Sequence, residues 1–352
     1  MFKFLFRLSL MALTACLTAT LLVTPAVAAP LSFSTFVSSS DLNTLLSNNA
    51  TIGFDYAGNK FVGSVYFGAN NNQLYATDLN GMNLTKFGNP IPGYSSEIFV
   101  SSSLGLGGFP SRDVYAGNGA GPTITHFTNN GLSQNLFTTL PNCNCNVRGI
   151  VFDEVGTFGG KMLVSTSTGQ IFSVTSAGVA TQIANIGQDS EGMAIGTSAF
   201  GTYGGYLLVG SEGSGQIHAI APGTFAVTLL PFTVPSAEML SSVPLNLGHG
   251  GPLEGFYAAN YAVDIIHAGA SQFNGEQGDL VVTGETSHLV TDIHWNGSTF
   301  VLTTIGQFPN QPEDGIFVTE AIVNPTPEPG TLVMLGSGIV GLAGFVRRKI
   351  NL

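Results

Sequence analysis

Gly149-Ile150-Val151-Phe152, Gly159-Gly160-Lys161-Met162-Leu163-Val164 and Gly169-Gln170-Ile171 are echoed in order by Gly192-Met193-Ala194-Ile195, Gly204-Gly205-Tyr206-Leu207-Leu208-Val209 and Gly215-Gln216-Ile217. Each run is a short apolar segment opened by glycine, and the period is about 45 residues, long enough for four short strands. The last segment of each unit runs into a turn glycine: Asn80-Gly81, Asn130-Gly131, Ala177-Gly178, Pro222-Gly223 and Asn296-Gly297. A second β-rich run follows each turn, so every unit closes on a hairpin whose glycine supplies a positive φ. These turn glycines are 50, 47, 45 and 74 residues apart.

Four strands per repeat define a propeller blade. The first unit reads as strands at 52–56, 61–67, 73–78 and 83–87, and the fifth as strands at 255–259 and 278–283 followed by the hairpin through Gly297. Gly315-Ile316-Phe317-Val318 begins a further strand, which residues 31–37 are placed to join, closing a ring. The expected fold class is all-β, a β-propeller of five or six four-stranded blades. The long gap is read as an insertion at 235–252 plus a loop at 268–277. Helix is expected only at 40–48, capped by Asp41, and in the two end segments.

Those end segments are apolar. At the N-terminus, Lys3 and Arg7 precede an apolar run at 8–23 and the small-x-small site Ala26-Val27-Ala28, a secretory signal peptide cut after Ala28. An alternative lies within it: Leu13-Thr14-Ala15-Cys16 has the form of a lipobox, which would make Cys16 a lipidated terminus. At the C-terminus, Pro325, Pro327 and Pro329 cannot continue a helix and make an extended linker. An uncharged stretch at 331–346 follows, which as a helix rises about 24 Å, a short span for a bilayer. Arg347, Arg348 and Lys349 then hold that end on the cytoplasmic side, leaving the body outside. The expected plan is signal peptide 1–28, propeller body 29–323, proline-rich linker 324–330, transmembrane helix 331–346 and basic cytoplasmic tail 347–352.

Pro327-Glu328-Pro329, the small-residue span and the basic end together resemble the PEP-CTERM sorting tail of Gram-negative bacteria. The resemblance implies an exosortase-like processing enzyme as a partner. It also implies export across the inner membrane, a transient membrane-anchored state, and final residence at the cell surface or in the medium.

Five of the ten basic residues sit in these end segments, against one of the 21 acidic ones, Glu328. The body keeps only Lys60, Lys86, Arg112, Arg148 and Lys161, an excess of about fifteen negative charges. Such a surface repels nucleic acid and anionic membranes and suits divalent cations and neutral glycans. After export the cysteines are Cys143 and Cys145, separated by Asn144 and read as a loop staple or as two thiols.

Acidic residues recur ahead of strand starts: Glu97, Glu191 before Gly192, Glu254 before Gly255 and Asp314 before Gly315, with Arg148 in that place in the third unit. First strands line the channel of a propeller, so these carboxylates are candidate metal ligands; no cofactor is assigned, calcium is the ion they could hold, and the other reading is an acidic rim of solvated carboxylates. The Glu-Gly starts locally resemble those of regucalcin and gluconolactonase-like propellers, in a wider group with NHL-type repeats, whose acids hold a metal. The Asn and Asp ligands of that family have no identifiable match here. No catalytic residue is assigned, because the chain has neither a Gly-x-Ser-x-Gly elbow to accompany Gly248-His249-Gly250-Gly251 nor a zincin, phosphate-loop or dinucleotide motif. The leading expectation is a non-catalytic propeller that binds exopolysaccharide or an envelope protein; the alternative is a calcium-dependent hydrolase or lactonase using channel-mouth carboxylates.

Deleting residues 327–349 should leave the protein freely secreted or periplasmic. An unchanged distribution on cell fractionation would contradict the sorting assignment.

Overall fold

A computed structural model describes residues 30–92 and 96–319. Ala26, Ala28, the Pro327-Glu328-Pro329 motif, Arg347, Arg348, Lys349, the linker and both expected end helices lie outside the described residues. Among the described residues no helix is long and apolar enough to cross a membrane.

Six sheets of four antiparallel strands are arranged as six blades. Blades one to four are contiguous in sequence and start at Thr51–Tyr56, Val100–Ser102, Val147–Phe152 and Met193–Ile195. The turn glycines behave as their hairpins require, Gly81, Gly131, Gly178, Gly223 and Gly297 having φ between 71° and 94°.

Blades five and six exchange chain. Blade five runs from an inner strand Ala237–Ser242 directly to Leu280–Gly284, Leu289–Trp295 and Phe300–Gln307. The hairpin Gly255–Asn260 and Asp264–Gly269, which lies between the first two of these strands in sequence, belongs to blade six. There it is flanked on the inside by Pro312–Val318 and on the outside by Ser34–Val37. Two expectations are therefore corrected. Residues 255–259 are not part of the fifth blade, and residues 235–252 are not a plain insertion, since they hold that blade's innermost strand. The physical reason is that a hairpin pairs with whichever edge is unfilled, and blade six offered edges on both sides.

The core lies between adjacent blades, and the seam joining the last blade to the first is the most aromatic part of it. Phe54 stacks on Phe61 with ring centroids 5.2 Å apart, Phe61 meets Tyr257 at 4.7 Å, and Phe36 meets Tyr257 at 4.8 Å. Val37, Leu42, Leu46, Ile265 and Val318 pack into the same cluster. Leu42 and Leu46 come from the helix Ser39–Leu46, one turn apart on its buried face. Its N-cap is Ser38, whose hydroxyl accepts from the Asp41 amide; Asp41 sits in the first turn, so the expected cap is displaced by three residues. Cys143 and Cys145 are joined as a disulfide.

Truncating Phe61, which is fully buried and touches aromatic rings from both blades, should cost about 3–5 kcal/mol. Urea denaturation of Phe61→Ala checks this, and a loss below 1 kcal/mol would show that the seam does not carry the closure.

Candidate functional site

All six inner strands run in the same direction around a central channel, a cavity of about 160 Å³ lined by residues from every blade. One mouth is framed by the starts of these strands and the other by their ends. The strands come together closely at the starting mouth. A Cβ on Gly149 would lie 2.5 Å from the Glu191 carbonyl oxygen, and one on Gly192 would overlap the Glu238 carbonyl. Glycine at these two positions is what lets successive blades bring their preceding residues together.

Those preceding residues are mostly acids. Glu191 and Glu238 stand at the starts of the inner strands of blades four and five, and Glu313 lies just inside that of blade six. Glu212 and Glu285 follow the second strands of blades four and five and reach the same mouth. One carboxylate oxygen from each of Glu212, Glu238 and Glu285 falls within 4.8 Å of the others. Glu238 lies against Glu191 and Glu285 against Glu212, and each neighbour raises the proton affinity of Glu238 and Glu285. Gln311 Nε2 donates to Glu285 at 2.6 Å and to Glu313 at 2.8 Å. Burial first, and then neighbouring acids, hold Glu238 and Glu313 well above the ordinary carboxylate range. The hydrogen bond to Glu212, with burial, pushes Glu285 to about 8. Glu238 Oε2 is buried and has no hydrogen-bond partner, on a residue only 3 % exposed.

Arg148 is the basic counterpart at this mouth. It pairs with Glu97, and its guanidinium nitrogens lie 3.1 Å from both Asp189 and Glu191. Of the four sequence-derived metal candidates, Glu191 lies in the acidic group, while Glu97 is engaged by Arg148. Asp314 sits beside Phe54 and accepts from the amides of Phe54 at 3.2 Å and Gly315 at 2.9 Å. Glu254 precedes a second strand and accepts from the amides of Gly248 and Gly250 at 2.8 and 2.9 Å. It faces the opposite end of blade six, because Gly255 pairs with Val318 at the far end of the inner strand. The structure thus does not bring the four to one point. The residues that do meet were passed over. Glu238 lay in the supposed insertion, Glu313 was one residue from the acid chosen, and Glu212 and Glu285 share a phase after second strands that was legible as Ser211-Glu212 and Gly284-Glu285.

At the other mouth Asp55 accepts from the amides of Ser102 and Tyr56. Burial pushes Asp55 up to about 7, and burial with the nearby Asp55 pushes Asp314 to about 8. Arg112 lies over the Tyr56 ring, 5.2 Å from its centroid.

Residues 325–349 match the model of the PEP-CTERM protein-sorting motif. This is a six-bladed propeller with a PEP-CTERM sorting tail. A motif of that kind implies export, handling by exosortase-type machinery and a cell-surface or extracellular location. No curated protein matches the sequence. Among solved structures, the propeller is similar to a chain of a nidogen/laminin complex (TM-score 0.52, 12 % identity, covering 77 % of this chain and 86 % of that one). It is also similar to a protein described as a gluconolactonase (TM-score 0.53, 12 % identity, 81 % and 84 %). A third is a protein of unknown function from Bacteroides thetaiotaomicron (TM-score 0.53, 9 % identity, 81 % and 70 %). At these identities the likeness is one of fold.

The raised carboxyls set a pH dependence. Asp55, Asp314 and, in blade five, Asp292 move from 3.8 to between about 7 and about 8, chiefly through burial. Each binds its proton more tightly folded than unfolded, so folding stability falls as pH rises from about 4 to about 8. Without added divalent cations the melting temperature should therefore drop across that window; a rise from pH 5 to pH 8 would contradict the assignment.

Proposed function

We propose that the exported propeller is a binding protein of the cell surface or its matrix, without catalysis, that takes an exopolysaccharide or an envelope partner at its acidic mouth. A divalent cation, calcium the best match, completes that mouth. The observation that carries the reading is the carboxylate of Glu238, grouped with those of Glu212 and Glu285 and carrying a buried oxygen, Oε2, without a hydrogen-bond partner. A buried carboxylate oxygen without a donor costs free energy unless a proton or a cation meets it. One oxygen from each of the three carboxylates lies within 4.8 Å of the others, close enough to share one hard cation at calcium's bond length of about 2.3–2.6 Å. An all-carboxylate donor set favours such a hard cation over a soft one. Bound there, the ion would neutralise the charge and offer open coordination positions to ligand hydroxyls.

A calcium-dependent hydrolase or lactonase is the second reading. It is favoured by Glu313, a buried carboxyl beside the group whose proton affinity burial and neighbouring acids raise, in the direction a general acid needs. Lactone or glycoside turnover above background in millimolar calcium would favour it over the binding reading.

Calcium titration at pH 8 should raise the melting temperature by mass action, about 2.7 kcal/mol of stabilisation at a hundred times Kd. Glu238→Gln should abolish that rise while leaving the fold intact by circular dichroism. An equal rise in both proteins would place the ion elsewhere.

A further inference from the structure

The five basic residues of the exported part include one whose charge meets an aromatic ring and a nearby acid but whose terminal nitrogens make no hydrogen bond. Arg112 is only 9 % exposed, and both terminal nitrogens of its guanidinium are buried without a hydrogen-bond partner. A guanidinium stays charged under all ordinary conditions and brings five donors, so leaving its terminal nitrogens unmet is costly. Its position is nonetheless fixed. Its backbone has φ 65°, its amide donates to the Ser103 carbonyl at 2.7 Å, and its carbonyl accepts from Asn129 Nδ2 at 2.8 Å. The side chain is sandwiched between Gly58 and the Tyr56 ring. Asp55 is the acid nearby, but its two oxygens are taken by the amides of Tyr56 and Ser102, and it makes no ion pair with Arg112.

Arg112 lines the same central channel as the acidic mouth, at the opposite end, where the inner strands finish. Ser102 lines that end too, and its hydroxyl is likewise buried without a partner. The channel is therefore acidic at one mouth, and at the other it is lined by a fixed cation and an unpartnered hydroxyl together with the acids Asp55 and Glu154.

We propose that this second mouth is a binding site for a small carboxylate, such as a single sugar acid. One carboxylate engages the Arg112 guanidinium through two parallel hydrogen bonds and also accepts from the Ser102 hydroxyl. Paired N–H donors in a planar fork match a carboxylate in geometry and charge. It enters from the Arg112 side, past Asp55 and Glu154, rather than through the mouth where five glutamates converge. The apolar channel wall contributed by Phe99 and Val100 would face its carbon skeleton. This goes beyond the cation reading and needs no ion at the other mouth.

Isothermal titration calorimetry on the purified full chain with sodium glucuronate, against glucose as its uncharged analogue, tests the site in chelator and low salt. Glucuronate should bind and glucose should not. Arg112→Lys should weaken glucuronate at least tenfold, because a point charge cannot form the paired contact, and Ser102→Ala should weaken it severalfold. Arg112→Met should abolish binding, with circular dichroism to show that it folds; if it does not fold, the Arg112→Lys and Ser102→Ala results decide. Glucose binding as well as glucuronate, undiminished affinity in Arg112→Lys, or a preference for inorganic phosphate over glucuronate would each overturn the proposal. Since chelator removes any cation, failure here leaves the acidic-mouth reading untouched, and failure of the calcium titration leaves this one untouched.

Discussion

Everything in this molecule depends on closing the ring. A propeller blade presents an apolar face on each side, and each face is buried only if a neighbour stands against it. Here the sixth blade has no continuous segment of its own. It is collected from Ser34–Val37, the hairpin Gly255–Gly269 and Pro312–Val318, and its strands pack against both Thr51–Tyr56 and Ala237–Ser242. The aromatic cluster of Phe36, Phe54, Phe61 and Tyr257 holds that join. If it opened, the inner strands would lose their common axis and the channel would cease to exist.

Closure also explains the electrostatics. Once the inner strands converge, with Gly149 and Gly192 allowing the closest approach, the acids around their starts are brought toward one another. Glu191, Glu212, Glu238, Glu285 and Glu313 are forced into a space where like charges cannot all persist, and Arg148 reaches only one side of it. Protons or a cation must compensate. The fold thus holds five acids in an arrangement that a stability criterion alone would have removed, and the buried unpartnered guanidinium at the other mouth has the same character. Both mouths hold arrangements that cost the fold stability.

Much of this was legible from the sequence, and the parts that were not share one cause. Gly81, Gly131, Gly178, Gly223 and Gly297 announced their hairpins because a positive φ is a local demand that only local sequence must meet. The repeat at 149–171 and 192–217 exposed the blade for the same reason. The hairpin at 255–269 could not be placed, because which sheet edge it fills is decided by segments more than two hundred residues away, at Ser34–Val37. The acidic site failed along the same line. Its members come from two strand positions in blades four and five and from the neighbour of Asp314, and the alternation of side chains along a strand moved the mouth position to Glu313.

The chain order of the sixth blade ties folding to delivery. Pro312–Val318 is the last strand among the described residues, and the sorting motif begins at 325, only a few residues later. A polypeptide synthesised and exported from its N-terminus holds an unfinished blade until that strand emerges, and the tail emerges immediately after it. A product cut short anywhere before residue 312 lacks both the clasp and the postal code. Delivery is thereby reserved for chains that are complete enough to close, a proofreading of length that needs no dedicated inspector.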